Sequence, residues 1–146
     1  MPTHEYFASD TTSASPTRVW QVWSDVTSWP TWTTSVSSIE PLEDALPLRV
    51  GSRFRVRQPR LAPATWTVTE LDEGRSFTWT SSAAGVSSVG THVVEPDGSG
   101  ARFTSGIEQH GPLAGVVKLL LGGLVRRYLG LEADGLRHRA EELPPA

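Results

Sequence analysis

Polar side chains able to contact a small molecule share predicted strand faces with apolar residues in this sequence of 146 residues. Ser105 and Gln109 fall on one face of a strand, where they can hydrogen-bond a bound molecule. Phe103 and Ile107 lie on the same face because they are two or four positions away. The pattern predicts a strand that contacts a ligand, or polar groups that neighbouring protein atoms satisfy.

Two further residues are candidates for moving protons. Strict alternation places Glu70 on the same strand face as Trp66 and Val68, where it reaches either the interior or the wet rim. Tyr128 lies in a long apolar segment near the C-terminus and brings a hydroxyl to the edge of the core. As a core tyrosine with a solvated tip, Tyr128 needs no function.

The composition excludes several kinds of site. The chain has no cysteine, so a thiol nucleophile, a disulfide framework and a cysteine-based metal site are excluded. Its four histidines are scattered, with no pair at ligand spacing, and no glycine-rich phosphate loop occurs. We therefore expect no metal and no cofactor. The net charge of −3 gives no support to nucleic-acid binding.

The N-terminus lacks the basic start and apolar stretch of a secretory signal, so we expect a cytoplasmic protein. The longest apolar run, positions 113–125, contains Lys118 and is shorter than the roughly 20 residues of a membrane span. It is predicted to be a buried helix, and the chain length suits one domain over residues 1–146.

The elements that must position these residues follow from periodicity. Ser15 and Pro16 predict the start of a helix that runs to about Asp25, and a second short helix or turn begins around 29–32. From 35 to 109 the apolar period becomes two, and glycine-containing turns divide this region into six strands. A strand at residues 6–8 makes seven. The final helix carries one predicted apolar stripe: Leu113, Val117, Leu120, Leu124, Tyr128 and Leu131.

This order predicts an α+β fold in which an antiparallel meander packs one dry face against a single long helix. A strongly twisted sheet curls around such a helix, so the two surfaces need not meet along their whole length. We therefore expect a cavity between them, which the loops at 59–63 and 83–85 can gate.

Three stretches also resemble the SRPBCC superfamily, which includes START-like, pollen-allergen-like and polyketide cyclase/dehydrase proteins. They are positions 15–32, with the motifs SPTRVW and WPTW, then GTHVVEP at 90–96, and GPLAG at 111–115. The resemblance implies a helix-grip fold: a curved seven-stranded antiparallel sheet wrapped around the C-terminal helix, with two short helices after the first strand. Its members include lipid and polyketide binders, aromatase/cyclases and hormone receptors.

The same resemblance implies that His92 points inward, where its imidazole orients a ligand or acts as a general base. The alternatives are a histidine bonded to a neighbouring backbone group and one at the sheet edge. Trp20 and Trp32 are expected to form a hydrophobic wedge that plugs one end of the sheet. Trp66 and Trp79 are expected on the concave face, either as a ligand wall or as plain packing.

Three functions remain open from the sequence. The favoured one is binding of a hydrophobic small molecule, lipid-like or aromatic. The second is a polyketide cyclase-like enzyme that uses His92 with Glu70 or Tyr128 for proton transfer, and the third is a protein-interaction module. Dimer formation is left open. The expected ligand contacts are Phe54, Trp66, Val68, Phe77, Trp79, His92, Val94, Phe103, Ser105, Ile107, Gln109, Leu120, Leu124 and Tyr128.

Overall fold

The computed structural model describes residues 3–83 and 85–142. Part of the predicted loop at 83–85 and the predicted stop at 143–145 therefore lie outside the described residues. The elements in chain order are β1 (His4–Thr12), α1 (Pro16–Ser24), a 3-10 helix (Val26–Thr31), β2 (Ser38–Leu42), β3 (Arg53–Arg57), β4 (Ala64–Asp72), β5 (Ser76–Ala83), β6 (Val86–Asp97), β7 (Gly100–His110) and α2 (Ala114–Glu142).

The seven strands form one antiparallel sheet in the order β1-β7-β6-β5-β4-β3-β2. From β2 to β7 each strand pairs with the next strand in the sequence, which is the predicted meander. Strand β1 pairs with β7 and forms the other edge of the sheet. The sheet is curved and α2 lies along it, so the predicted helix-grip fold is confirmed. The strand face that carries Phe103, Ser105 and Gln109 is buried, as alternation predicts.

The first helix begins where its capping residues predict. The Ser15 hydroxyl accepts a hydrogen bond from the Arg18 amide at 3.1 Å, and Pro16 occupies the first turn. The helix buries Val19, Trp20, Val22 and Trp23 against the sheet. The expected second helix is the 3-10 segment, which contains a buried Trp29.

Helix α2 is oriented differently from the predicted stripe. Leu120 is 72% exposed and Leu113, which precedes the helix, is 46% exposed. Apart from Lys118, positions 116–125 carry no charged or polar side chain, so periodicity alone selects no face of the helix. Small residues determine which face packs inward. At Gly135, for example, the helix approaches Trp32 so closely that a Cβ would collide with the Trp32 carbonyl oxygen. The buried helix positions are Ala114, Gly122, Tyr128, Leu129, Ala133, Leu136 and Ala140.

Candidate functional site

A cavity of about 220 Å³ opens between the sheet and the middle of α2. Its walls come from the loop after β3, the facing ends of β4, β5 and β6, the end of β7, and one face of α2. Most of this wall is apolar. The residues that line it are Gln58, Leu61, Ala62, Ala64, Trp66, Ser81, Ala83, Val86, Ser88, Ile107, Gln109, Val125, Tyr128, Leu129 and Glu132.

The helical wall follows directly from helix geometry. Val125, Tyr128, Leu129 and Glu132 are spaced three, four and seven positions apart, which places them on one face of α2. Glu132 is thereby carried into the cavity by a face that is otherwise apolar and aromatic. It is the one charged side chain among the described residues that line this cavity.

The Glu132 carboxyl is in an environment that disfavours its charge. The residue keeps some exposure because one side faces the cavity, but its carboxyl is enclosed by protein atoms. Burial raises the pKa of Glu132 to about 7, and a hydrogen bond with the Ser35 side chain lowers it in part. At neutral pH this group therefore exists in both protonation states.

Ser35, in the segment before β2, belongs to a small polar network beside Glu132. The Ser35 hydroxyl is fully buried and lies 2.8 Å from Thr33 Oγ1. The Ser35 backbone carbonyl oxygen accepts a 3.2 Å hydrogen bond from Gln58 Nε2. Because Gln58 also lines the cavity, the network fixes two of the polar groups in the wall.

Gln109 and Tyr128 place two further polar groups at the cavity. Gln109 is 7% exposed, and its Oε1 has no hydrogen-bond partner in the described structure. The Tyr128 hydroxyl donates its proton to the Pro59 carbonyl oxygen, which ties α2 to the loop after β3. The phenol oxygen therefore faces the cavity as an acceptor.

A smaller inner compartment of about 50 Å³ continues the cavity towards the middle of the sheet. It shares part of its wall with the outer space, including Trp66 and Ile107. His92, Ser105 and Trp79 line it. The inner compartment thus brings three of the predicted contact residues to the same space as Glu132, which lines both compartments.

His92 is held as a neutral imidazole. Its Nδ1 lies 3.1 Å from the Phe77 carbonyl oxygen, and a carbonyl only accepts, so Nδ1 carries the hydrogen. Burial lowers the pKa of His92 to about 3. Nε2 is therefore an acceptor, and the structure matches the alternative of a histidine bonded to the backbone.

The space beneath α1 is filled by an aromatic plug, consisting of Trp20, Trp23, Trp29, Phe77, Trp79, His92 and Phe103. His92 stacks on Phe77 with ring centres 4.0 Å apart and planes at 9°, and Trp23 meets His92 edge-on at 5.2 Å. The Trp29 indole donates to the Trp23 carbonyl oxygen at 2.9 Å. The wedge expected of Trp20 is therefore present, with Trp32 packed at its margin.

The sequence profile described as "Polyketide cyclase / dehydrase and lipid transport" matches residues 4–141. The chain belongs to this family. No curated protein sequence matches it. The family description names both enzymes and carriers, and membership by itself does not choose between them.

Solved structures agree with the family fold. The ZhuI aromatase/cyclase from Streptomyces sp. R1128 is 18% identical, with a TM-score of 0.77 over 96% of this chain and 94% of that one. The protein TTHA0849 from Thermus thermophilus is 20% identical, with a TM-score of 0.75 over 94% and 97%. Norcoclaurine synthase from Thalictrum flavum is 18% identical, with a TM-score of 0.73 over 98% and 96%. These likenesses concern the fold.

Of the two positions expected for Glu70, the inward one is wrong and the exposed one is found. The register between β4 and β5 shifts between Val68 and Glu70, so the alternation that predicts an inward Glu70 breaks at this point. Glu70 is exposed, whereas Val68 is buried. The expected pairing of His92 with Glu70 therefore does not form.

Several predicted contacts lie away from the cavity. Leu120 and Leu124 line a separate surface depression beside Arg60 and Arg127, because the helix is rotated relative to the predicted stripe. Others are buried in the solid core, where the interior is filled. These core residues are Phe54, Val68, Phe77, Val94 and Phe103. The predicted residues that do line the cavity are Trp66, Trp79, His92, Ser105, Ile107, Gln109 and Tyr128.

Sequence reasoning missed Glu132 and Leu129. Leu129 lies four positions after Val125 and Glu132 lies four positions after Tyr128, so the helix face that contains Tyr128 was the available signal. Charged residues on a long helix usually mark its solvated side, and that rule conceals Glu132. In the described part of the chain, no helix is long and apolar enough to cross a membrane.

Proposed function

We propose that the protein binds a compact, largely apolar molecule in the cavity between the sheet and α2. The observation that carries this proposal is an open, mostly apolar space with a few inward polar groups, Gln109 and Glu132 among them. Well-packed interiors contain few voids larger than a water molecule, so a space of this size needs an explanation. An interior with such a space also argues against a pure protein-interaction module.

The size of the cavity limits the ligand. An apolar cavity of about 150 Å³ accommodates benzene, so the outer space of about 220 Å³ suits a molecule of one or two rings. A long acyl or poly-ketone chain would require displacement of the loop after β3 or of α2. We therefore narrow the expected lipid-like or aromatic ligand to a small cyclic compound.

A cavity-filling substitution tests this function. Ile107 lines both compartments, so Ile107→Trp should fill them and abolish binding of ethylbenzene and naphthalene, measured by isothermal titration calorimetry. Val93→Trp is the matched control, because it adds the same ring to the same sheet on its outer side. Equal binding by Ile107→Trp and the parent would refute the assigned cavity.

A second candidate function is acid–base catalysis in the same cavity. The observation that favours it is Glu132, whose pKa of about 7 suits proton transfer near neutral pH. This assignment replaces the expected His92 and Glu70 couple. The phenol of Tyr128, which hydrogen-bonds the Pro59 carbonyl, would contribute only as an acceptor.

Ring opening of 5-nitrobenzisoxazole tests for a competent base. The Glu132 carboxylate would take the ring C–H proton while that electron pair completes a nitrile and the N–O bond breaks to give a coloured phenolate. The parent rate should rise with pH through about 7, following the pKa of Glu132. Glu132→Gln should reduce the rate by about 100-fold or more. An unchanged rate would remove Glu132 as the base.

A further inference from the structure

Four polar groups of the cavity wall present acceptor atoms to a ligand. Glu132 carries two carboxyl oxygens, and the Ser35 side chain is the hydrogen-bonding partner that reduces its pKa shift. Gln109 Oε1 has no partner in the described structure, although Gln109 is only 7% exposed. A buried acceptor without a partner lowers the stability of the protein by about 1–3 kcal/mol. A ligand that donates a hydrogen bond to this acceptor removes that cost, which favours binding.

Tyr128 and His92 provide two more acceptors, because each already donates its hydrogen to a backbone carbonyl. The Tyr128 hydroxyl gives its only proton to the Pro59 carbonyl, which leaves the phenol lone pairs for the cavity. His92 gives its Nδ1 hydrogen to the Phe77 carbonyl, which leaves Nε2 as the acceptor of a neutral ring. The serine hydroxyls and amide nitrogens in the wall can still donate, but none carries a charge.

No lysine or arginine is among the described residues that line the two compartments. The Glu132 carboxylate therefore has no cationic partner in the described part of the chain. Buried charges are stable when they are paired, and an unpaired carboxylate is destabilised enough to take up a proton instead. A ligand with a positive charge would supply the missing partner, whereas an anion would face repulsion from Glu132.

We propose that the ligand is a compact cyclic amine whose ammonium group pairs with the Glu132 carboxylate while its ring packs on Trp66 and Leu129. This inference rests on the proposed binding function and specifies the chemical class of its ligand. Gln109 Oε1 accepts a second hydrogen of the ammonium group or of a ring substituent. A poly-ketone is disfavoured at these positions because its own oxygens are acceptors.

A ligand series of constant shape tests the charge. Benzylamine, benzyl alcohol and ethylbenzene each have one ring and one two-atom substituent, and phenylacetate replaces the ammonium with a carboxylate. At pH 8, benzylamine should bind the parent protein at least tenfold more tightly than ethylbenzene, because a charge-assisted hydrogen bond contributes more than a neutral contact. Phenylacetate should bind more weakly than either.

Glu132→Gln should abolish the benzylamine preference and leave ethylbenzene affinity within about twofold, because the shape of the side chain is retained. Glu70→Gln is the matched control: it removes an exposed carboxyl on the same protein and should preserve the preference. Gln109→Leu should weaken benzylamine and benzyl alcohol while sparing ethylbenzene.

The outcomes separate the two proposals. Ethylbenzene binding with no gain for benzylamine, or a gain that survives in Glu132→Gln, would overturn the amine and leave the binding function standing. Tighter binding of benzyl alcohol than of benzylamine would also overturn it, since a neutral donor would then be preferred. Failure of all four compounds to bind would overturn both proposals.

Discussion

The inner face of the sheet is covered in two different ways: aromatic rings fill the region beneath α1, and a cavity remains beside α2. Beneath α1, the aromatic plug leaves only the inner compartment of about 50 Å³, and the Trp29 indole nitrogen and His92 Nδ1 have partners inside the protein. Beside α2, Trp66 borders an open space where Gln109 Oε1 has no partner in the described structure. Both regions are buried, so the candidate site is distinguished by its open space and its unpartnered polar atom.

The contrast shows where the capacity for binding comes from. Where the rings interlock, the interior mainly contributes stability and leaves little room for a ligand. Where the helix and the sheet diverge, a charged and a polar group remain incompletely paired, at a cost to stability that a ligand can recover. The aromatic plug holds the strands in place, and this rigidity keeps the walls of the cavity in position.

Truncating one aromatic ring in each region should produce the largest difference. Phe77 is fully buried in the plug, so Phe77→Ala should lower the free energy of unfolding by about 3–5 kcal/mol, measured by chemical denaturation. Trp66→Ala should cost roughly 1–2 kcal/mol, because one side of its ring already faces the cavity. It should also admit larger ligands. Equal losses of stability would mean that the two regions are packed alike.

A smaller effect of about 3 kcal/mol is expected from pH. The pKa of Glu132 is about 7 in the folded protein, against 4.5 as its ordinary value. Between these pH values the folded state keeps a proton that the unfolded state has lost, so rising pH favours unfolding. Glu132→Gln lacks this penalty. Its stability relative to the parent should therefore increase by about 3 kcal/mol from pH 4.5 to 7.

Urea denaturation of the parent and of Glu132→Gln between pH 4.5 and 7 measures the difference in their free energies of unfolding. The contributions of titratable groups that both proteins contain cancel in this difference. His92 acts in the opposite sense, because its pKa is lowered to about 3, but it is present in parent and variant alike. Glu70→Gln provides the reference, since that carboxyl is exposed and its difference from the parent should stay within about 0.5 kcal/mol. A Glu132→Gln difference that does not change with pH would contradict the assigned burial.

Local patterns predicted the elements well because each depends on neighbouring residues. Ser15 and Pro16 define the start of α1, and alternation on β7 places Ser105 and Gln109 inward. The same reasoning failed at Glu70, where a register shift reverses the alternation, and no residue near it announces the shift. It also failed on α2, where apolar residues surround the helix at Leu120.

The sequence by itself determined the seven strands, the long final helix and the inward aromatic residues, since periodicity and capping are properties of short segments. Only the tertiary structure decided which face of α2 meets the sheet, because Gly135 permits a close approach to Trp32 that no local pattern encodes. That rotation brings Glu132 into the cavity and turns Leu120 outward. The chemistry of the site therefore depends on how two distant segments pack, which is a property of the whole fold.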